Sequence, residues 1–575
     1  MLVRWWLKTG FKHRGLYGQS SILLQKLGSE WSSKGSASHA SRETVVCLRF
    51  LHLLSPLVLG VALAGPVAAR ADNGCSQGYR QAASLLNQGK AEEVAHSFGW
   101  MVAKCPDFYR AYIVLGIANQ RLRNFDRAEQ YFRKAVKLAP RSAVAHVNLG
   151  MFYLSSGHAS QASSELRKAV ALAPEEPVGW VDLGLSELKS GDAAKAVEHL
   201  QKARRLDPGN AKIRLILISA AFKAGQPSLA REQAGQLLAR KPQDPGLLLP
   251  LGALLVEGGD VTKARQIYQS VKNSSSNPLP SFLEAANQAA ARGNYRAALS
   301  LLEFVADAGR SSAVWNEMIG DAYYKLGRIK PAVDHLQEAV KLDPHNEDYY
   351  LEFGTLLTQY HANDACLALF QSATRILPNS VKIKSALAVA YMMEKKYAEA
   401  EKILQNIIAA SPDYFPAYQL LGETYQASHQ WEGLKSIGQK IVARDPTQSV
   451  GWYYQAQADY ELGTKGGKEF KIAESEVRRS LALDSQNGPA HFLLGKILSA
   501  EHRGEDAVLA LKKAASLDDD PTVFYTLALA YRKLGEASKS ASALKKFNEA
   551  VERKKASYHK LILTIDESPV QSANK

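Results

Sequence analysis

Residues Pro177-Val-Gly-Trp-Val-Asp-Leu-Gly-Leu-Ser-Glu-Leu-Lys-Ser-Gly-Asp-Ala-Ala-Lys-Ala-Val-Glu-His-Leu-Gln-Lys-Ala-Arg-Arg-Leu-Asp-Pro208 set the reading of the whole chain. Counted from Pro177, Trp180, Leu183 and Gly184 stand fourth, seventh and eighth. Ala196, Leu200 and Ala203 stand twentieth, twenty-fourth and twenty-seventh, and Pro208 is thirty-second. Apolar residues three and four apart make one stripe on each of two helices. Gly184 and Ala196 carry almost no side chain, so the two helices of a hairpin can approach closely. A proline just past the second stripe stops it, because it lacks an amide donor and clashes with the preceding turn.

The same frame runs outward in both directions. Prolines recur at Pro106, Pro140, Pro174, Pro208 and Pro242, and in the same phase at Pro344, Pro378, Pro412 and Pro446. Upstream the frame gives Tyr112, Leu115, Gly116, Ala128, Phe132 and Ala135, then His146, Leu149, Gly150, Ala162, Leu166 and Ala169. Downstream it gives Ile319, Gly320, Tyr323, Ala332, Leu336 and Ala339, then Tyr418, Leu421, Gly422 and Tyr425. A beat of about 34 residues with this pattern resembles the tetratricopeptide repeat family from residue 109 to the end of the repeats. The resemblance implies an all-α superhelical solenoid that is not an enzyme and whose inner wall grips partner proteins or peptides. Single hairpins are marginal alone and gain stability from their neighbours.

Frames start at 109, 143, 177, 211, 245, 279, 313, 347, 381, 415 and 449. Two more begin near 488 and 521, after an insertion of about five residues relative to the repeat length. A degenerate copy fills 75–108, so the expectation is a solenoid of about 14 hairpins. The expected organisation is an N-terminal extension and signal segment over 1–71, the degenerate cap over 75–108, and array halves over 109–277 and 279–486. The last repeats and a basic capping helix follow over 488–560, then a disordered tail over 561–575. Three units depart from the pattern and read either as soft joints or as sequence drift in a redundant array. These are the unit at 211 (Ile218, Ala234), the unit at 245 with its Asn273–Pro280 loop, and the unit at 415 with Gly433, Leu434 and Gly438.

The ends and the charge point to export. Arg42 and Arg49 precede the apolar run Leu51–Gly65, and Ala69-Arg-Ala71 follows it. Positive start, apolar middle and a small-residue ending read as a secretory signal, placing the mature protein in the periplasm or outside the cell. The alternative is an inner-membrane anchor over residues 50–69 if the signal is uncleaved. Residues 1–41 are long for a leader, and translation from a later start is the competing reading. The formal net charge is +15. The first 71 residues hold nine basic against two acidic side chains, which leaves +8 for the repeats, a solvated surface rather than a nucleic-acid track. Cys75 opens the first helix of the degenerate hairpin and Cys105 closes its second, so a Cys75–Cys105 disulfide is expected, in keeping with export. Cys366 stands where a small core residue is usual.

Chemistry finds no foothold in the sequence. The histidines are scattered, with His335 and His345 on different elements and no metal motif, so no cofactor is expected. Gly463-Thr-Lys-Gly-Gly-Lys468 lacks the spacing, the following Ser or Thr and the preceding strand of a phosphate loop. It reads as an insertion between helices.

The resemblance implies that the first helix of each repeat lines the groove through its second, fifth, sixth, ninth, twelfth and thirteenth residues. Carried onto this chain, these positions give an apolar stretch with Val147, Asn148, Met151, Val181, Asp182 and Leu185, then Leu215, Ile216 and Leu249. An acidic stretch follows with Glu317, Asp321, Tyr324 and Glu352, and an aromatic one with Tyr453, Tyr454, Gln457 and Tyr460. Such a wall suits an extended peptide or a partner helix. The alternative is a polysaccharide bound on the tyrosine-rich end. The sixth position reads Val114, Asn148, Asp182, Ile216, which lacks the asparagine run of glycosyltransferase-linked arrays. The Lys/Asn/Arg set that clamps chaperone carboxylates is also missing.

Overall fold

A computed structural model describes residues 74–464 and 467–566. Every regular element among them is a helix, arranged as fourteen successive hairpins. In the first, Cys75–Asn87 packs against a broken second arm, Ala91–Ser97 and Trp100–Lys104. Then come Tyr109–Arg121 with Phe125–Leu138, Ala143–Ser155 with Ala159–Leu172, and Pro177–Lys189 with Ala193–Leu206. Ala211–Lys223 pairs with Pro227–Leu238, Pro245–Glu257 with Val261–Asn273, and Leu279–Ala291 with Tyr295–Phe304. After the short turn Ala306–Gly309, Ala313–Lys325 pairs with Ile329–Leu342, Glu347–Gln359 with Asn363–Ile376, and Val381–Met393 with Tyr397–Ala410. Phe415–Ala427 pairs with Trp431–Arg444, Ser449–Leu462 with Lys468–Leu483, Gly488–Ala500 with Gly504–Leu517, and Pro521–Lys533 with Ala537–Asp566.

The frame positions act as the sequence requires. A Cβ built on Gly184 would lie 2.7 Å from Leu200 Cγ, and one on Gly150 the same distance from Leu166 Cγ. Gly116 stands under Phe132 and Gly320 under Leu336 in the same way. The eighth residue is therefore small because the twenty-fourth fills its space. Every hairpin but the one from Ser449, where Gly463 is extended with φ of −78°, turns through a left-handed residue at the fifteenth position. Gly157, Gly191, Gly225, Gly259, Gly293 and Gly327 serve there, but Arg123, His361, Lys395, His429 and His502 also hold positive φ. The next amide closes the turn on the first helix, as His158 N to Tyr153 O at 2.8 Å and Gln430 N to Tyr425 O at 2.9 Å. This is the six-to-one bond of a Schellman cap.

The chain divides into two compact units after Val305, not between residues 277 and 279. Tyr268, Phe282 and Phe304 explain the shift. Their ring centroids lie 5.5–6.0 Å apart, which binds the hairpin at 279 to the one at 245.

Within residues 74–305, Tyr153 joins neighbouring hairpins. Its hydroxyl donates to Glu129 at 3.1 Å and accepts from Arg133 Nε at 3.0 Å, both on the preceding second helix. First helices of successive hairpins touch here, as Ala143–Ser155 touches Pro177–Lys189, so they form the inner wall. The Asn273–Leu279 loop changes the order of packing. Leu279–Ala291 rests on Pro245–Glu257, which also packs on Tyr295–Phe304. At the N-terminal end Cys75 and Cys105 are joined as a disulfide with Cα atoms 6.6 Å apart.

Within residues 306–566, Tyr425 repeats the joint, donating to Glu401 at 3.0 Å and accepting from Gln405 at 3.2 Å. The expected soft joint at 415 is tightly packed instead. A Cβ on Gly438 would lie 2.8 Å from the Gly451 carbonyl oxygen, and Gly422 faces the ring of Tyr454 rather than a residue of its own hairpin. Gly438 leaves the slot that Tyr454 fills from the next repeat. Cys366 is a buried free thiol. The last helix is described as far as Asp566. The expected signal or anchor over 1–71, residues 465 and 466 of the insertion, and the tail beyond 566 lie outside the described residues. Among those described, no helix is long and apolar enough to cross a membrane.

Candidate partner-binding site

In the unit of residues 74–305 the inner wall is built by helices Ala143–Ser155, Pro177–Lys189 and Ala211–Lys223. Val147, Met151 and Leu185 are half-buried and keep part of their apolar surface open, as do Leu215 and Ile216. Asn148, Val181 and Asp182 are buried. Asn148 directs its amide to its own helix, donating to the Val144 carbonyl at 2.8 Å. Asp182 differs: it is 4% exposed, and its Oδ2 has no hydrogen-bond partner. Burial pushes its carboxyl up to about 7, since removing water penalises the ionised form.

In the unit of residues 306–566, Asp321, Tyr324, Leu336, Glu352, Thr355 and Leu356 line one small depression. Glu317 is buried, while Asp321 and Tyr324 are half-buried. Lys325 Nζ lies 3.9 Å from Asp321 and 4.8 Å from the Tyr324 ring centroid. Burial raises the Tyr324 hydroxyl to about 12.

The aromatic end departs from expectation. Tyr454 is buried, and its hydroxyl donates to the Gln419 carbonyl at 3.1 Å, so it is a wedge between repeats and not a groove contact. Tyr453 and Tyr460 are half-buried. Tyr460 packs 5.1 Å from the Phe470 ring with Lys496 Nζ 4.5 Å from its own. Gln457 accepts from the amide of Gln426 on the neighbouring first helix. The tyrosines thus spend much of their surface on the fold.

Sequence reasoning missed a charged cluster around the buried Asp459 at this joint. Lys435 Nζ lies 2.6 Å from Asp459 Oδ1, and Asp459 is 3% exposed. Burial and then Asp459 raise the Glu476 carboxyl to about 8, and Glu476 Oε2 finds no donor. A carboxylate at an apolar-stripe position of the first helix was the available signal. Among the described residues no three His, Cys, Asp or Glu side chains gather in a way that could hold a metal ion.

Comparison with known proteins agrees with this architecture. A profile described as tetratricopeptide repeat matches residues 121–180, 187–245 and 356–423. A TPR repeat profile matches 320–359, and a further tetratricopeptide repeat profile matches 79–143 and 217–278. Together these matches span more than half of the chain, which belongs to the tetratricopeptide repeat proteins. Superkiller protein 3 of Schizosaccharomyces pombe is 22% identical over 314 residues, 54% of this chain and 21% of that protein. Human Superkiller complex protein 3 is 28% identical over 170 residues, 29% of this chain and 11% of its own length. Anaphase-promoting complex subunit 3 of Schizosaccharomyces pombe is 25% identical over 262 residues, 40% of this chain and 39% of that protein. The chain therefore spans less than half the length of each of these relatives. Among solved structures, yeast Tom70 aligns with a TM-score of 0.36 at 14% identity, covering 81% of this chain and 98% of that one. The Cut9–Hcn1 hetero-tetramer of the APC/C aligns with a TM-score of 0.33 at 12% identity, covering 89% and 99%.

Proposed function

We propose that the protein is a non-catalytic scaffold that holds segments of other proteins against the inner walls of its repeats. The observation that carries this reading is the set of half-exposed apolar side chains on first helices that touch one another, Val147, Met151 and Leu185 among them. The relatives named for multisubunit complexes support the same class of role. Photo-crosslinking tests it. A crosslinker at Met151 should capture a discrete partner, whereas one at Lys134, exposed on a second helix, should not. Equal capture at both positions overturns the reading.

We further propose that the protein works outside the cytoplasmic membrane, in the cell envelope or beyond it. The Cys75–Cys105 disulfide supports this, because such bonds persist in oxidising compartments. N-terminal sequencing of the exported chain tests it. A start at Asp72 supports cleavage of the leader, and recovery of the whole chain with reduced cysteines in the cytoplasm overturns export.

A further inference from the structure

Asp182 stands out on the inner wall of residues 74–305. Around it the wall is apolar: Val147 and Met151 on the preceding first helix, Leu185 on its own, and Leu215 and Ile216 on the next are all half-exposed. At the same register Asn148 satisfies its amide within its helix, and Ile216 has nothing to satisfy. Of these three, Asp182 is the one that carries a buried oxygen with no donor. No neighbouring charge shifts its carboxyl; burial is the cause. Such a group is costly to leave unmet.

We propose that this wall docks an apolar protein segment carrying one lysine or arginine, whose cation meets Asp182. The proposal rests on the scaffold reading and names the chemistry of its partner. Apolar side chains of the segment cover Val147, Met151, Leu185, Leu215 and Ile216. The cation supplies the donor that the fold withholds from Asp182, making a charge-assisted bond in a site closed to water. An all-apolar segment of the same shape supplies no donor to the carboxyl, and an acidic segment adds a second like charge. Both are therefore discriminated against, because a buried polar group left unpaired penalises the wrong partner.

An array of labelled twelve-residue Leu/Val/Ala peptides with polar ends tests this, using the full chain. In one set a single lysine is walked through each position; in the other norleucine replaces it. Binding is read by fluorescence anisotropy against the parent chain and Asp182→Asn, with circular dichroism confirming that the variant folds. The expected result is that some lysine peptides bind at least tenfold more tightly than their norleucine partners, and that Asp182→Asn abolishes the difference. Equal binding of both sets overturns the role of Asp182 while leaving the wall as a docking surface. A lysine preference that survives in Asp182→Asn assigns the cation elsewhere and also overturns the proposal. Binding by no peptide of either set overturns it together with the scaffold reading of this wall.

Discussion

The indole Nε1 of Trp180 donates to the carbonyl oxygen of Pro174, six residues earlier, at 2.8 Å. The proline that ends one repeat is thus tied to the fourth residue of the next. Trp452 repeats the bond to Pro446 at 2.9 Å, and the Tyr112 hydroxyl repeats it to Pro106 at 3.0 Å. His146 Nε2 stands 3.0 Å from the Pro140 carbonyl, and Asn316 donates to Arg310 at 2.9 Å. Several chemistries serve because the position needs one donor at the end of a side chain. Replacing Trp452 by Phe keeps an aromatic but smaller ring and removes the donor. It is expected to cost about 1 kcal/mol in urea unfolding, the net value of one hydrogen bond.

Tyr454 fills the slot that Gly438 leaves open against Gly422. Tyr454→Ala is expected to destabilise by roughly 3–5 kcal/mol, as for loss of a large buried aromatic. Tyr453→Ala, at a half-buried neighbour, should cost clearly less. Thermal unfolding of the two single variants measures the difference. Equal losses would remove the wedge role.

Asp182 ties stability to pH. Its folded-state carboxyl lies at about 7 against a reference of 3.8. The fold therefore favours the protonated form, and the stability it gains from that form is full below the unfolded value. It is lost as pH rises from about 4 to about 7. Asp182→Asn removes the titration and should raise stability at neutral pH by an amount on the order of 4 kcal/mol at most. Urea midpoints of the two chains should converge near pH 4 and separate towards pH 7.

Glu476 moves the same way at the other end of the chain. Burial and the neighbouring Asp459 hold its carboxyl at about 8, with Lys435 opposing them. A raised acid contributes stability below its unfolded value and loses it as pH rises through the folded one. The melting temperature should fall between pH 5 and pH 8 in the parent chain. Glu476→Gln, which stays neutral and offers Asp459 a donor, should flatten that slope.

His429 holds a left-handed turn with φ of 58°. Such a conformation strains an L side chain by about 1–2 kcal/mol, and glycine adopts it freely. His429→Gly should stabilise the hairpin by up to about 1 kcal/mol once the added freedom of the unfolded chain is subtracted. Denaturant unfolding checks the sign.

The repeat itself was legible in the order of residues. Gly184 opposite Leu200, Ala196 between them and Pro208 beyond are local requirements of helix geometry and close approach, and they recur in register. The periodicity therefore determined helix positions, the hairpin count and the pairing of first and second helices. Tertiary structure decided how each position is used. Tyr454 sits at a groove position by count, yet the missing side chain at Gly438 draws it into the core. Asp182 and Ile216 share a register, but one is a buried carboxyl without a donor and the other an apolar surface. Repeat position fixes where a side chain starts along its helix. Whether it meets water, a neighbour or a partner depends on volumes contributed by helices some 34 residues away along the chain, and those are set only when the hairpins stack.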